Sequence, residues 1–299
     1  MLFLIYGSNG WIGKQVIKIL KQYENINVIC GKERVNNKEK IEQEIKKVKP
    51  THIMSFIGRT HGKIGNDIFN TIDYLEQSGK IYENVRDNLF SSMILAMLCK
   101  KYNIHLTYLG TGCIFNYNKE HPYGKEINGF TEDSKPNFFG SSYSIVKGFT
   151  DELMHLFNET VLNIRIRMPI TADNSSRNFI TKITTYKKIC SIPNSMSVLP
   201  DLIPIMIKMA IKKNVGTINL TNPGLISHNE ILQMYKEIVD PSFTWENFSL
   251  KEQSEVISSE RSNNYLDTTK LETMYPHINN IKISVREILM KMKQVKIGH

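Results

Sequence analysis

Residues 2–13, LFLIYGSNGWIG, decide the fold. A short apolar run ends at Gly7, and glycine recurs at positions 10 and 13, where an amphipathic stretch (14–23) begins. A buried strand, G-x-x-G-x-x-G and a helix form the layout of a pyrophosphate-binding turn. The first glycine permits the tight turn, the second lets the backbone approach the phosphates, and the third lets helix pack on strand. The helix N-terminus then offers unpaired amides and a positive dipole end. A glycine pattern alone is a weak signal. Directly behind a strand it points to a dinucleotide held by Gly7, Asn9, Gly10, Trp11, Ile12 and Gly13.

Working outward, strand and helix patterns alternate. Residues 27–30 read as a second strand, 38–49 as a helix stopped by Pro50, and 52–57 as a third strand. A long helix over 87–102, a strand over 105–109, a helix over 143–157 and a strand over 161–167 follow. Repeated units of this kind predict an α/β fold with a doubly wound parallel sheet, of the Rossmann type. After Pro169 the texture changes. Helices are expected over 178–188 and 202–213, a strand over 216–220, and a helix over 227–239 opened by the capping pair Ser227 and Glu230. The expected division is a Rossmann domain over 1–168, completed by part of 201–222, and a smaller α/β lobe over 169–299.

Composition excludes several classes. The 299 residues carry 38 Lys+Arg against 29 Asp+Glu, a net +9, and 41% are hydrophobic, so wholesale disorder is not expected. No apolar run approaches the roughly 20 residues of a membrane span, and the N-terminus lacks the basic region of a signal peptide. Cys30, Cys99, Cys113 and Cys190 lie far apart without a C-x-x-C pair, which argues against zinc and against a disulfide framework. A reducing cytoplasm is the expected location. The lysines over 38–49 alternate with glutamates, as on a solvated helix face, and no basic stripe with interleaved aromatics suggests nucleic acid. An anionic small molecule suits the positive field.

Chemistry concentrates at three positions. Tyr143 and Lys147 stand four apart on one face of a predicted helix, where an ammonium and an oxidised nicotinamide would lower the phenol's proton affinity. Thr111, just past the strand over 105–109, can place a hydroxyl beside Tyr143 on a substrate oxygen. The alternative for Thr111 is a hydroxyl that caps its own turn. At the end of the second strand no acid is placed for a ribose hydroxyl; Lys32 and Arg34 favour NADPH, while Glu33 leaves NADH open.

The glycine turn, Thr111 and Y-x-x-x-K resemble the extended short-chain dehydrogenases/reductases. YGSNGWIG, TGCIF, NFFGSSYSIVK, RIRMPI, RNFITKI, IPNSM, TNPG-x-x-SHNEIL, DPSFTWENF and RSNN-x-LD carry the likeness further. They resemble the bifunctional UDP-4-keto-6-deoxy-D-glucose 3,5-epimerase/4-reductases of plant-type UDP-L-rhamnose synthesis, over nearly the whole chain. The resemblance implies epimerisation at carbons 3 and 5 through enolates, followed by NAD(P)H-dependent reduction at carbon 4. It also implies that Cys113 pairs with Lys182, from RNFITKI, as base and acid whose roles reverse between the two inversions. Asn178 and Arg261 are then expected at the UDP diphosphate, with Asn194 and Asn263 nearby. A homodimer and a separate upstream 4,6-dehydratase are implied as well. Two alternatives stay open: a 4-keto reductase alone, and a non-catalytic dinucleotide-binding scaffold.

Overall fold

The computed structural model describes residues 1–124 and 128–297. Strand β1 (Leu2–Tyr6) leads through the glycine turn into α1 (Trp11–Leu20), then β2 (Asn27–Cys30), α2 (Lys38–Val48) and β3 (His52–Ser55). A small antiparallel hairpin (Gly62–Ile64 with Asp67–Phe69) and a 3-10 turn (Ile72–Glu76) precede α3 (Ile81–Val85). A single π turn, Arg86–Phe90, joins α3 to α4 (Ser91–Tyr102), so the helix expected over 87–102 starts earlier and carries an extra residue in one turn. Strand β4 (His105–Thr111), α5 (Ser142–Met154) and β5 (Val161–Ile166) follow.

Strand β6 (Gly216–Asn219) pairs with β5, giving a six-stranded parallel sheet in the order β6-β5-β4-β3-β1-β2. The order reverses between β1 and β3, and in open sheets of this kind ligands bind beyond the carboxyl ends of the strands at such a point. Alternation along β1 explains why both faces are covered. Phe3 and Ile5 join Val16, Leu20, Leu202 and Met206 on one face, whereas Leu4 and Tyr6 join Ile41, Ile45, Leu95 and Leu98 on the other. Each fully buried aliphatic side chain contributes about 1.5–3 kcal/mol, so the sheet is a firm platform.

The remaining elements include α6 (Phe179–Ile183), α7 (Leu199–Ile211), α8 (His228–Ile238), α9 (Leu250–Val256), α10 (Thr269–Met274) and α11 (Ile281–Ile297). A third core unites Ile180, Ile183, Met196, Ile226, Ile231, Val285 and Leu289. The capping box of α8 forms as expected between Ser227 and Glu230. Helix α6 is far shorter than the expected 178–188. Its last carbonyls accept hydrogen bonds from the Thr184 and Thr185 hydroxyls, and Lys188–Ile189 pairs with Glu246–Asn247 as strand.

Candidate active site

Gly7 adopts φ +75°, and a Cβ there would stand 2.7 Å from the Phe56 carbonyl carbon at the end of β3. A Cβ at Gly13 would stand 2.4 Å from the Gly7 oxygen, so α1 seats on the turn only with glycine in place. Gly10 caps α1 and its amide donates to the Gly7 carbonyl at 3.0 Å. Asn9 and Gly10 are exposed, while Trp11 and Ile12 are partly buried in the first helical turn, whose amides lack intrahelical partners. This cradle fits a dinucleotide pyrophosphate. The Trp11 indole donates to Asp173 at 3.0 Å, tying the turn to the segment after β5. Past β2, the Glu44 carboxylate accepts the Lys32 amide and the Tyr6 hydroxyl, both at 2.8 Å, which leaves the Lys32 and Arg34 side chains exposed.

Thr111 is the last residue of β4 rather than lying beyond it. Its hydroxyl accepts the Cys113 amide at 3.1 Å, so it caps its own turn, and it lies beside the Tyr143 phenol, which it helps to lower. Ser141 caps α5, and Glu76 accepts both the amide (2.8 Å) and hydroxyl (3.0 Å) of Ser142, fixing the turn that presents Tyr143. Lys147 is only 4% exposed and donates its Nζ to the Tyr108 hydroxyl. Burial pushes the Tyr143 phenol up to about 12 against the pull of the Lys147 ammonium. Lys147 acts in the anticipated direction, and in the chain alone desolvation outweighs it. Burial also lowers the proton affinity of Lys147, opposed by Tyr143, Asp151 and Cys113.

Cys113 is partly exposed, and its carbonyl accepts the Ser144 hydroxyl at 2.7 Å. The preceding carbonyl, Gly112, accepts from Arg167 at 2.9 Å and from Asn264 at 2.9 Å. Two arginines on alternate residues behave differently here. Arg165 pairs with buried Asp151 at 2.6 and 3.0 Å; burial pushes that carboxyl up, but His155, Arg165 and Asn163 hold it at about 2. Arg167, 1% exposed, donates only to neutral acceptors: Gly112, the Ser262 hydroxyl (2.8 Å) and carbonyl (3.1 Å), and Asn194 (2.7 Å).

Lys182 lies on α6. Burial, with Arg177 and Arg261 nearby, lowers its ammonium to about 8. His61 shares Arg177 with it, and burial first, then Arg177, Arg59 and Lys182, lower it to about 4. Arg261 forms an ion pair with Asp73 and donates to the Ser259 carbonyl at 2.9 Å. With Asn263, Asn116, Tyr117 and Tyr123 it lines a cavity of about 610 Å³. Asn263 is half-buried and accepts from Asn194 at 2.9 Å.

Two expectations need correction. Asn178 and Asn194 are 0% exposed. Asn178 caps α6, accepting from Ile180 and Thr171 and donating to the Thr171 and Asp173 carbonyls. Asn194 accepts from Arg167 and Asn264 and donates to Ile192 and Asn263. Both amides are committed to internal bonds, so neither is free to meet a substrate. Sequence reasoning also missed Arg167, Arg177, His61 and Asp73; only the arginines of RIRMPI, set in an apolar strand, carried a visible signal. Among the described residues no His/Cys/Asp/Glu group could hold a metal, and no helix is long and apolar enough to cross a membrane.

No protein-family model matches the chain. It is 54% identical to protein L780 of Acanthamoeba polyphaga mimivirus, over 98% of this chain and 99% of that protein. The crystal structure of L780, described as a UDP-rhamnose synthase, superposes with a TM-score of 0.93 over 98% of this chain and 99% of that one. The chain is also 44% identical to the bifunctional dTDP-4-dehydrorhamnose 3,5-epimerase/dTDP-4-dehydrorhamnose reductase of Arabidopsis thaliana, over 95% of this chain and 90% of the relative. A trifunctional UDP-glucose 4,6-dehydratase/3,5-epimerase/reductase from the same plant is 41% identical over 97% of this chain, which spans 41% of that protein.

Proposed function

We propose that this chain, which belongs to the family of bifunctional nucleotide-sugar 3,5-epimerase/4-reductases, converts UDP-4-keto-6-deoxy-D-glucose to UDP-L-rhamnose. One juxtaposition carries the reading of the site: Thr111, Cys113 and Tyr143 meet at the carboxyl end of β4, on a sheet that opens with a dinucleotide turn.

The ketone at carbon 4 acidifies the protons at carbons 3 and 5. Cys113 removes a proton from one face, and the electron pair moves onto the carbon-4 oxygen. Thr111 and Tyr143 steady that oxyanion by hydrogen bonds. Lys182 returns a proton to the opposite face, and the two groups exchange roles at the other carbon. NAD(P)H supplies the hydride that reduces carbon 4. Tyr143, held at about 12 and so protonated at neutral pH, gives its proton to the oxygen. Lys147 then stabilises the phenolate left behind.

The finer assignments belong to the same proposal. Lys32 and Arg34, exposed past β2, suit a 2′-phosphate and favour NADPH over NADH. Arg261 and Asn263 take the UDP moiety, with Arg261 exchanging Asp73 for the diphosphate. A 4,6-dehydratase must supply the 4-keto-6-deoxy sugar. Helices α3 to α5 leave Tyr82 (70% exposed), Phe149 (59%) and Met97 (43%) uncovered, an apolar surface that suits a homodimer. Sedimentation as a single 34.5 kDa species at micromolar concentration would contradict the dimer.

The test is to supply UDP-4-keto-6-deoxyglucose with NADPH or NADH and identify the sugar formed. UDP-L-rhamnose, made faster with NADPH, is expected. A 6-deoxy sugar with unaltered configuration at carbons 3 and 5 would leave a reductase only.

A further inference from the structure

Among the described residues, Arg167 is a buried cation that no acid meets. Its guanidinium is 1% exposed, its donors end on two carbonyls, one hydroxyl and one amide oxygen, and its Nε has no partner. Arg165, two residues earlier, shows how this fold otherwise handles a buried guanidinium: Asp151 meets it with a paired carboxylate. Neutral acceptors would be satisfied equally by a neutral donor, without the desolvation of a full charge. The charge is therefore the part of Arg167 that its hydrogen bonds do not explain.

The position of that charge is informative. Gly112 packs on the arginine stem, since a Cβ there would stand 2.9 Å from its Cγ, and the Gly112 carbonyl accepts its Nη1 at 2.9 Å. The next residue is Cys113, which lies within electrostatic reach of Arg167. Tyr117 and His228 are the other titratable groups that sense the guanidinium, and Tyr143 and Lys147 face Cys113 from α5. Burial and the Arg167 charge hold His228 at about 4, so it is neutral at working pH and adds no second positive charge.

We infer that Arg167 is a positioning residue for epimerisation: its charge stabilises the anionic form of Cys113, while its fork holds the Thr111–Cys113 turn in place. The inference rests on Cys113 being the base proposed above. In the step it assists, the Cys113 sulfur gains the carbon-bound proton and the electron pair passes to the carbon-4 oxygen. Arg167 keeps its own proton throughout. Reduction uses Tyr143 and does not draw on this charge.

The test follows alkylation of Cys113 by iodoacetamide at pH 7.5 in the full-length enzyme, read on the Cys113 peptide by mass spectrometry. Cys30, Cys99 and Cys190 serve as internal references. Arg167→Gln is expected to slow alkylation of Cys113 about tenfold. Solvent deuterium incorporation at carbons 3 and 5 should fall by a similar factor, and by more than reduction of already epimerised 4-keto substrate, which loses only the support of the Thr111 turn. Arg167→Lys, which keeps the charge and loses the fork, should recover most of the alkylation rate. A folded Arg167→Gln enzyme that alkylates Cys113 at the native rate would overturn the inference, as would Arg167→Lys being as slow as Arg167→Gln. Should Arg167→Gln not fold, Arg167→Lys decides alone: a near-native rate supports the role of charge and a tenfold loss overturns it. Cys113→Ala separates the two levels. Full deuterium incorporation in that variant removes Cys113 as base; its loss, together with native alkylation in Arg167→Gln, removes only the role of Arg167.

Discussion

Thr111, Tyr143 and Lys147 stand on a strand end and the first turns of a long helix, tied by Ser141, Ser142 and Glu76. Lys182 and Arg177 come from a five-residue helix and the residue before its cap, Arg261 from a distant loop, and both arginines disfavour the Lys182 ammonium. The first group is set by burial in the sheet, which keeps the phenol protonated well past neutrality. The second is set by burial and by two neighbouring cations, which bring the Lys182 ammonium to about 8. The difference matches two chemical demands. Reduction asks for one proton donor whose state does not vary, whereas epimerisation asks for groups that gain and lose protons near neutral pH.

The comparison breaks most visibly at Tyr143. Tyr143→Phe should lower the rate of 4-keto reduction about 10²- to 10⁴-fold, the usual range for a lost general acid. Solvent deuterium should still enter carbons 3 and 5, slowed only by the loss of one oxyanion donor. Single-turnover reduction beside isotope incorporation measures the split; equal losses in both would merge the two groups into one.

A smaller effect sharpens the second group. Lys182 acts as acid in its protonated form at one of the two carbons, so isotope incorporation at that carbon should decline as pH rises through about 8. Arg177→Gln removes a like charge, which raises the Lys182 proton affinity. The alkaline limb should then move upward by less than about one pH unit. A pH profile of incorporation in the variant checks this, and a limb moved downward would contradict the electrostatic account.

Local spacing made the first group legible and hid most of the second. LFLIYGSNGWIG and the Tyr143–Lys147 interval are short-range patterns whose geometry follows from helix and strand periodicity. The ending of α6 was not legible, because it depends on threonine hydroxyls turning back onto its carbonyls. Asn178 and Asn194 read as free amides only while their partners are unknown. Arg167 gives the clearest case, since one of its acceptors, Ser262, lies 95 residues further along the chain. Nothing in the spacing of RIRMPI says that one arginine meets an aspartate and the other, among the described residues, only neutral acceptors. The balance at Tyr143 was hidden for a related reason: a neighbouring ammonium is visible in sequence, but the depth of burial is not.

The central claim is that one chain carries both an epimerase and a reductase on these residues. The most direct measurement incubates UDP-4-keto-6-deoxyglucose in deuterium oxide without reductant, for the native enzyme and for Cys113→Ala. Deuterium at carbons 3 and 5 with the native enzyme, lost in Cys113→Ala while cofactor binding persists, is the predicted result. Absence of deuterium with the native enzyme, or full incorporation in Cys113→Ala, would contradict it.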